Sequence, residues 1–387
     1  MAHDAQTTET TVSGGRRTRP PFRADHVGSL LRPPRLLDAR EDLAKGSITG
    51  AELRAIEDEE IAKAVEMQRA AGLQDATDGE FRRSSWHMDF IYQLGGIEKI
   101  QSDIEVHFRN ADGTVDFKPA AIAVNEPVRL EHTIFAEDFA YLRDIVSEGV
   151  TPKLTIPSPN MVHYRSGRAA LNPDVYADLE PFWADLAAAY AAEVKALAAL
   201  GCTYLQLDDT TLAYLNDPSQ REALTARGED TPHLLETYVS NINGAIAGRP
   251  EELTVTTHLC RGNFRSSWAA EGSYDYVAET LFGALEVDGF FLEYDDARSG
   301  GFEPLRFIPP GKLVVLGLVT TKRGALESKD DLIRRIEEAS RYVPIEQLCL
   351  SPQCGFSSTV EGNVLTRDEQ AAKLALVVET AAAVWGS

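Results

Sequence analysis

The chain has 387 residues, and its 38 lysines and arginines against 60 aspartates and glutamates give a formal net charge of −22. Such an acidic chain lacks the basic face with which proteins displace counterions from nucleic acid or bind an anionic membrane. An apolar fraction of 43% and a charged fraction of 25% are ordinary for a soluble globular protein. The composition therefore argues against nucleic-acid and membrane partners, and it names no function.

The first 21 residues are polar and contain no apolar segment, so they predict a disordered N-terminal arm rather than a secretory signal. Residues 22–387 are expected to form one folded domain. No run of about 18 apolar residues occurs, which predicts no transmembrane helix. Four cysteines in a chain of this length do not make a disulfide scaffold. These features predict a cytoplasmic protein whose thiols stay reduced.

From residue 22 onward, short β-rich runs alternate with helical stretches. The runs predict strands at residues 23–29, 74–80, 153–159, 203–209, 253–260, 289–294, 312–319 and 348–354. Helices are predicted to start where a hydroxyl residue precedes a carboxylate by three positions, as at Thr49 with Glu52 and at Thr366 with Glu369. The alanine-rich segment 177–200 is also predicted to be helical.

Strands that alternate with helices predict a parallel sheet, because a parallel crossover needs a helix. Eight such strands predict an α/β fold, a single (β/α)8 TIM barrel. An open doubly wound sheet is the alternative, but no glycine-rich phosphate fingerprint follows the first strand. Residues 103–132 break the rhythm, since they alternate like antiparallel strands around the turn signal Asn-Ala-Asp-Gly at 110–113. We expect a β-hairpin insertion on the barrel there.

Potential metal ligands follow three of the predicted strands. His258 and Cys260 end the fifth strand, where alternate residues point to the same side. Glu293 lies near the end of the sixth strand, and Cys354 ends the eighth. In a barrel these strand ends meet at the C-terminal face, where active sites are built. The sequence therefore predicts that one His, two Cys and one Glu reach one metal ion.

The chemistry of this ligand set favours one metal. Thiolate and imidazole ligands favour zinc over magnesium or calcium. The alternative to a catalytic site is a structural zinc site, which more often uses four Cys or His ligands from nearby loops. The other two cysteines, Cys202 and Cys349, lie in apolar runs and are predicted to be core residues.

Acidic residues end two other predicted strands. Glu80 closes the second strand, and Asp208 and Asp209 close the fourth. Carboxylates at barrel strand ends are well placed to hold the ammonium group of a substrate. The alternative is that they pair with Arg82, Arg83 or another internal cation.

Taken together, these elements resemble the cobalamin-independent methionine synthase family, in particular its C-terminal catalytic barrel. The likeness runs from residue 22 to the C-terminus and is closest to the short, single-barrel methionine-synthase-like proteins. The motifs that carry it are FRADHVGSLLRP, TDGEFRR, THLCRGNFRSSW, FFLEYDDARSG and LCLSPQCGF.

The resemblance implies a zinc-dependent thiol methyltransferase. The implied Zn²⁺ ligands are His258, Cys260, Glu293 and Cys354. Glu80 and Asp208 would bind the amino group of homocysteine, with Ser29 near its carboxylate. Bound zinc would lower the pKa of the homocysteine thiol, and the thiolate would take a methyl group to give methionine. A candidate donor is 5-methyltetrahydrofolate.

Departures from the family's pattern bear on the methyl donor. Asp208-Asp209-Thr210 stands where the family has Asp-Glu-Pro, and the third-strand segment lacks the family's folate-stacking tryptophan. No histidine follows the seventh strand, so protonation of a departing pterin nitrogen would need another acid. The candidate acids are Lys322, His87 and His163.

Other functions are compatible with the same barrel. Epoxyalkane:coenzyme M transferases resemble it and use His-x-Cys with a distant Cys, and their thiol carries a sulfonate that Arg82, Arg83 or Lys322 could hold. The carboxylates Glu80 and Asp208 favour an ammonium-bearing thiol instead. A non-catalytic barrel with structural zinc or none, and a porphyrinogen-decarboxylase-like barrel without the metal ligands, are further alternatives.

Overall fold

The structure, a computed structural model, describes residues 17–101, 106–110, 113–117, 121–164 and 167–386. The strands of this part of the chain are β1 (Asp75–Ala76), β2 (Gly95–Ile100), β3 (Val106–Asn110), β4 (Gly113–Phe117), β5 (Ala121–Arg129), β6 (Thr151–Pro152), β7 (Leu154–Pro157), β8 (Tyr204–Asp209), β9 (Thr254–Leu259), β10 (Gly289–Glu293), β11 (Leu313–Val319) and β12 (Leu348–Pro352). Its α-helices are α1 (Pro34–Ala44), α2 (Gly50–Ala70), α3 (Met88–Ile91), α4 (Ala136–Ile145), α5 (Met161–Tyr164), α6 (Leu179–Ala199), α7 (Thr211–Tyr214), α8 (Pro218–Ala226), α9 (Thr231–Ile246), α10 (Ala278–Ala284), α11 (Lys329–Ala339) and α12 (Arg367–Trp385).

Six parallel strands, β7 to β12, form the central sheet and lie in it in chain order. All their residues are buried, as expected of a parallel sheet that is covered on both faces. His258 of β9 lies in register with Asp208 of β8 on one side and with Phe291 of β10 on the other. The predicted parallel sheet is therefore present, and it places the carboxyl ends of these strands side by side.

The first two predicted strands contribute less pairing than expected. Residues 23–29 form one parallel bridge, between Ala24 and Leu350 of β12. Residues 74–80 form only the two-residue strand β1, which pairs with β6 beside the other edge of the central sheet. The hydrogen-bonded strands of the described residues therefore do not make one continuous ring.

Residues with positive φ lie near the end of both runs. Gly28, Gly79 and Glu80 have φ values of 133°, 68° and 60°, which a regular strand does not adopt. The fold is thus α/β with a parallel sheet, and the predicted closed TIM barrel is not confirmed.

The helices begin where their capping residues predict. Thr49 Oγ1 accepts a hydrogen bond from Glu52 N at the start of α2, and Thr366 Oγ1 accepts one from Glu369 N at the start of α12, both at 3.2 Å. Helix α6 covers most of the predicted alanine-rich segment and packs against α9. Helices α11 and α12 pack on β11 and β12. This packing shields one face of the sheet and fixes the strand ends.

The predicted insertion region lies outside the parallel sheet. Strand β2 pairs antiparallel with β5, and β3 pairs with β4 so that Asn110 lies opposite Gly113. Turn residues 111–112 lie outside the described residues, and the antiparallel segment starts at Gly95 rather than at 103. Arg109 and Trp268 exchange backbone hydrogen bonds of 2.7 and 2.8 Å. This exchange attaches the β3–β4 hairpin to the chain that follows β9.

Residues 1–16 of the predicted N-terminal arm lie outside the described residues. The next five residues contact the domain: Gln74 Nε2 donates to the carbonyl of Arg17 at 2.8 Å, and Pro21 is buried. None of the helices in the described part of the chain is long and apolar enough to cross a membrane.

Candidate active site

Four potential metal ligands converge at the carboxyl ends of the central strands. His258 lies in β9 and Cys260 directly follows it, Glu293 ends β10, and Cys354 follows β12. One ligand atom from each residue lies within 4.8 Å of the other three, and all four residues are buried. The structure thus brings the four predicted ligands to one place.

The donor atoms of this group fit a zinc ion. Among the described residues, both ring nitrogens of His258 and Oε2 of Glu293 form no hydrogen bond, although all three atoms are buried. Glu293 Oε2 has only an ion-pair contact, with Arg298 Nη2 at 3.5 Å. Such burial costs free energy unless a ligand satisfies these atoms. Cys260 and Cys354 are free thiols whose Sγ atoms lie 3.5 Å apart. Two sulfurs, an imidazole and a carboxylate form a donor set that suits zinc.

Backbone amides after β9 orient two of the ligands. Arg261 N donates to Glu293 Oε1 at 2.7 Å, and Gly262 N donates to Cys260 Sγ at 3.3 Å. The neighbouring thiol of Cys260 holds the pKa of Cys354 well below its usual value. A lowered thiol pKa favours the thiolate, which is the form that binds metal.

Two cations lie beside the end of β10. Arg298 Nη2 is 3.5 Å from Glu293 Oε2 and 3.0 Å from Asp295 Oδ1, and Lys322 Nζ is 2.9 Å from Asp295 Oδ2. Burial raises the pKa of Asp295, but Lys322 and Arg298 outweigh burial and lower it to about 2. Lys322, a predicted candidate acid, is thus held in an ion pair with a neighbouring carboxylate.

A cavity of about 170 Å³ lies beside the ligand group. Three of the ligands line it, namely His258, Cys260 and Cys354. Other predicted residues that line it are Ser29, Glu80, Asp208 and His87. The predicted residues that do not line it are Arg82, Arg83, Asp209, His163 and Lys322. Only the predicted residues that line the cavity could contact a substrate bound in it.

Glu80 lines the cavity and, in the described part of the chain, has one carboxylate oxygen without a hydrogen bond. Its Oε1 accepts a hydrogen bond from Thr155 Oγ1 at 2.9 Å and lies 3.6 Å from Arg83 Nη1. Its Oε2 is buried and has no hydrogen-bond partner among the described residues. Burial raises the pKa of the Glu80 carboxyl. Gly79 and Glu80 have positive φ values and follow β1, which ends at Ala76.

The two adjacent aspartates of β8 have different environments. Asp208 lines the cavity, accepts a hydrogen bond from Gln206 Nε2 at 2.7 Å, and has its pKa raised to about 7 by burial. Asp209 faces the opposite side and accepts hydrogen bonds from Ser158 Oγ and from Leu212 N at the start of α7. Successive strand residues point to opposite faces, so only Asp208 is placed for a substrate.

Both arginines of the TDGEFRR motif are used structurally. Arg82 forms ion pairs with Asp58 and Asp138, and its guanidinium lies 4.9 Å from the ring centroid of Tyr141. Arg83 donates to Thr155 Oγ1 at 3.2 Å and stacks on a phenylalanine ring. Both arginines are therefore engaged by contacts within the protein, which supports the alternative of internal pairing over substrate binding.

Of the two predicted histidine acids, one faces the cavity. His87 lines the cavity, with its ring centroid 4.4 Å from that of Trp86 and its Nδ1 3.2 Å from Ser85 Oγ. His163 lies outside the cavity, where its Nδ1 is 3.0 Å from the hydroxyl of Tyr238. Burial lowers the pKa of His163 to about 4, so it is neutral at pH 7. Proton transfer in the cavity is open to His87 and not to His163.

Ser29 lies at the cavity wall, close to the backbone of Gly355. Its Oγ accepts a hydrogen bond from Ser357 N at 3.3 Å. A Cβ added at Gly355 would lie 2.0 Å from this Oγ. Gly355, which follows Cys354, therefore allows the loop that carries Cys354 to approach Ser29 closely.

Sequence reasoning missed the aromatic side chains of the cavity. These residues are Trp86, Phe108, Tyr214 and Phe264. The signal was present for two of them, because Trp86 stands three residues after TDGEFRR and Phe264 lies within THLCRGNFRSSW. Phe108 belongs to the hairpin, and no local pattern in the sequence indicates that this hairpin reaches the strand ends.

The remaining two cysteines lie in the core, as predicted. Burial raises the pKa of Cys202 to about 12 and that of Cys349 to about 11. Both are free thiols, and neither belongs to the group of four potential metal ligands.

Comparison with known proteins identifies the family. The family model described as "Cobalamin-independent synthase, Catalytic domain" matches residues 22–383. The chain is 48% identical over 382 residues to a Bacillus subtilis (strain 168) protein named uncharacterized protein YxjG, with 98% of this chain and 99% of that protein covered. It is 27% identical to a methionine synthase of Pyrococcus abyssi (strain GE5 / Orsay), with 85% of each chain covered.

A solved structure agrees with this assignment. A Listeria monocytogenes protein, named as a candidate vitamin-B12-independent methionine synthase, is 40% identical and superposes with a TM-score of 0.76. The match covers 95% of this chain and 99% of that one. The chain therefore belongs to the cobalamin-independent methionine synthase family and has the α/β fold of its catalytic domain.

Proposed function

We propose that this protein is a zinc-dependent methyltransferase that transfers a methyl group to the thiol of homocysteine and so forms methionine. The observation that carries the proposal is the juxtaposition of a four-ligand group with an acidic cavity. Ligand atoms within 4.8 Å of one another adjoin a cavity that Glu80 and Asp208 also line. A thiol bound at the metal would thus have carboxylates within the same cavity for its amino group.

The metal site would be held by the residues already described. His258, Cys260, Cys354 and Glu293 would ligate zinc, and their unpartnered buried atoms support this assignment. Bound zinc would lower the pKa of an added thiol, so that a thiolate exists at neutral pH. Glu293 is the hardest donor of the set, and Arg298 beside it would compensate its charge if the thiolate displaced it.

The substrate's charged groups would be oriented by the cavity wall. The open Oε2 of Glu80 and the carboxylate of Asp208 would bind the ammonium, and the Ser29 hydroxyl would donate to the carboxylate. The thiol sulfur would then lie at the ligand group, where its lone pair attacks the methyl carbon of the donor. Holding both reactants in this geometry supplies much of the rate.

We also propose that the sheet closes into a (β/α)8 barrel. The parallel bridge between Ala24 and Leu350 connects residues 23–29 to one edge of the central sheet. At the other edge, Lys153 N donates to Ala76 O at 2.9 Å. The Lys153 ammonium also reaches Asp25 at 2.8 Å, which supports closure across the barrel interior. The free thiols support the expected cytoplasmic location.

The coenzyme M alternative lacks a binding group for its sulfonate. Arg82 and Arg83 are held by internal contacts, and Lys322 is paired with Asp295. None of the three lines the cavity. A sulfonate in this cavity would face carboxylates instead, and the geometry therefore favours an amino-acid thiol.

A thiol screen on the zinc-loaded protein tests the proposal. Homocysteine and coenzyme M would be offered separately with methylfolates, a methylsulfonium compound and an epoxide, and product masses would be recorded. We expect methionine from homocysteine with at least one methyl donor and no alkylated coenzyme M. Turnover of coenzyme M alone would contradict the proposal.

A further inference from the structure

The cavity also indicates the chemical class of the methyl donor. We infer that the donor is a small methylated onium cation, a methylsulfonium or a methylated ammonium compound, bound against the aromatic wall of the cavity. This inference rests on the proposed thiol methylation and goes beyond it, because it selects one donor class over the polyglutamylated folates.

The charge of the cavity wall is the first support. Three carboxylates line the cavity: the buried Glu80 and Asp208, and the exposed Glu361. The homocysteine ammonium would occupy Glu80 and Asp208, which leaves Glu361 as a carboxylate of the wall. No lysine or arginine of the described residues lines the cavity to bind the negative charges of a folate's glutamate tail.

The aromatic wall is the second support. Phe108 of β3 and Phe264 after β9 contact each other with ring centroids 5.4 Å apart, and Trp86 and Tyr214 also line the cavity. A ligand cation over such ring faces is attracted by their quadrupoles, which is how proteins recognise quaternary ammonium groups. The backbone exchange between Arg109 and Trp268 holds Phe108 against the chain that carries Phe264.

The size of the cavity is the third support. Its volume of about 170 Å³ is smaller than the roughly 300–1,000 Å³ of pockets that bury drug-sized ligands. A folate belongs to that larger class, and the same cavity must also accept the amino-acid thiol. A donor with few atoms beyond its methylated onium centre fits the remaining space.

The chemical balance of the transfer agrees with such a donor. The thiol proton leaves to solvent when the thiolate forms, and the sulfur lone pair then forms the new S–CH₃ bond. The bond from the methyl carbon to the onium centre breaks, and its electron pair neutralises that centre, which leaves as a thioether or tertiary amine. No proton donor is needed at the leaving group, and of the three candidate acids only His87 lines the cavity.

Equilibrium binding tests the inference independently of turnover. Calorimetry on the zinc-loaded protein with homocysteine present would compare choline with its neutral isostere 3,3-dimethylbutan-1-ol. We expect choline to bind about tenfold more tightly or better, because the two differ only in the charge at the onium position. Equal binding, or tighter binding of the neutral compound, would overturn the inference.

Matched variants place the effect on the aromatic wall. Phe264→Leu removes the ring while keeping an apolar side chain, and Phe264→Tyr keeps the ring. We expect the choline preference to fall about tenfold in Phe264→Leu and to persist in Phe264→Tyr, with zinc content unchanged in both. A preference that both variants retain in full would remove the aromatic wall from the inference.

Turnover distinguishes failure of the inference from failure of the proposed function. Methionine formation would be measured with S-methylmethionine, glycine betaine and 5-methyltetrahydropteroyltriglutamate as donors. We expect product from an onium donor. Product from the folate alone would overturn the inference and leave the proposed function intact, whereas zinc-loaded protein that does not bind homocysteine would overturn the proposed function itself.

Discussion

The protein contains two buried polar clusters, and only one of them adjoins the cavity described above. The inner cluster consists of Asp25, His26, Asp75, Lys153 and Tyr204, near the amino ends of the strands. Its central carboxylate is satisfied, since Oδ1 of Asp25 accepts from Lys153 Nζ at 2.8 Å and Oδ2 accepts from the Tyr204 hydroxyl at 2.8 Å. Both clusters contain buried atoms without a hydrogen bond among the described residues: His26 Nε2 and both carboxylate oxygens of Asp75 in the inner cluster, and atoms of His258, Glu80 and Glu293 in the site cluster at the carboxyl ends. The difference is the cavity, because His258 and Glu80 line it and no residue of the inner cluster does.

The groups of the inner cluster interact with one another. Burial and the neighbouring Asp25 carboxylate raise the pKa of Asp75 well above its usual value. Burial and the neighbouring Lys153 lower the pKa of His26 to about 3, so this imidazole is neutral at pH 7. Lys153 forms an ion pair with Asp25. The inner cluster thus supplies the partners of its own carboxylate, whereas the open donor atoms of the site cluster adjoin a cavity that a ligand can enter.

The largest effect is expected from the metal ligands. In Cys354→Ser, a hard oxygen replaces a thiolate, and we expect methionine formation to fall by more than the 10–100-fold loss seen when outer-shell partners of a metal are changed. Zinc content, measured by mass spectrometry of the metal, should fall with it. The control is Cys202→Ser in the core, which should keep both. Full zinc and activity in Cys354→Ser would contradict the assigned site.

A second variant addresses the inner cluster. Lys153→Met leaves the Asp25 carboxylate buried without its cation, and we expect a loss of about 3–5 kcal/mol in the free energy of unfolding. Urea titration measures this loss. The zinc content of the folded fraction should not change, because the two clusters are separate. Stable protein that has lost zinc would mean that the inner cluster serves the metal site.

The third prediction concerns the open carboxylate of the cavity. Glu80→Gln keeps the acceptor for Thr155 but loses the charge, which is worth about 2 kcal/mol for a hydrogen bond to an ionised group. We expect KM for homocysteine to rise about 30-fold while kcat and zinc content change little.

A deaminated thiol provides the matched control for this variant. With 4-mercaptobutanoate, which has no amino group, Glu80→Gln and the unaltered protein should have similar KM values. An equal rise in KM for both thiols would show that Glu80 does not bind the ammonium.

The smallest effect is expected at Glu193, a buried carboxylate of α6 outside the cavity. Its Oε2 accepts from Ile134 N at 3.1 Å, its Oε1 has no partner among the described residues, and burial raises its pKa to about 8. A raised carboxyl pKa favours the protonated folded state, so the contribution of Glu193 to stability is present below about pH 4.5 and lost as pH rises through 8.

The variant Glu193→Gln removes this titration. We expect it to gain about 1–2 kcal/mol in the free energy of unfolding at pH 9 and almost nothing at pH 4, with activity unchanged. Thermal unfolding at both values measures the gain. Loss of activity instead would show that an unpartnered oxygen indicates function even without a cavity.

The convergence of His258, Cys260, Glu293 and Cys354 was predictable from the sequence for a physical reason. Carboxyl ends of parallel strands meet at one edge, so residues as distant as His258 and Cys354 converge once the strands are recognised. The period of two also separates Asp208 from Asp209, although both were expected to bind substrate. The sequence therefore predicted at which strand end each residue lies. It did not predict as well the direction in which the side chain points.

Two other features depended on tertiary contacts. Pairing of residues 23–29 and 74–80 was overestimated. It is confined to Ala24 in the first run and to Asp75 and Ala76 in the second, and the positive φ values at Gly28 and Gly79 lie beyond these residues. The aromatic wall was missed because Phe108 reaches the cavity through the hairpin's pairing with Trp268. Neither the extent of strand pairing nor this long-range contact of the hairpin can be read from a local sequence pattern.

The most direct test of the central claim is X-ray absorption spectroscopy of the zinc-loaded protein with and without homocysteine. We predict two sulfur ligands at about 2.3 Å in the protein alone and a third sulfur at a similar distance when homocysteine is present. A zinc environment with no sulfur, or one that homocysteine leaves unchanged, would contradict the claim that this site binds and activates a thiol.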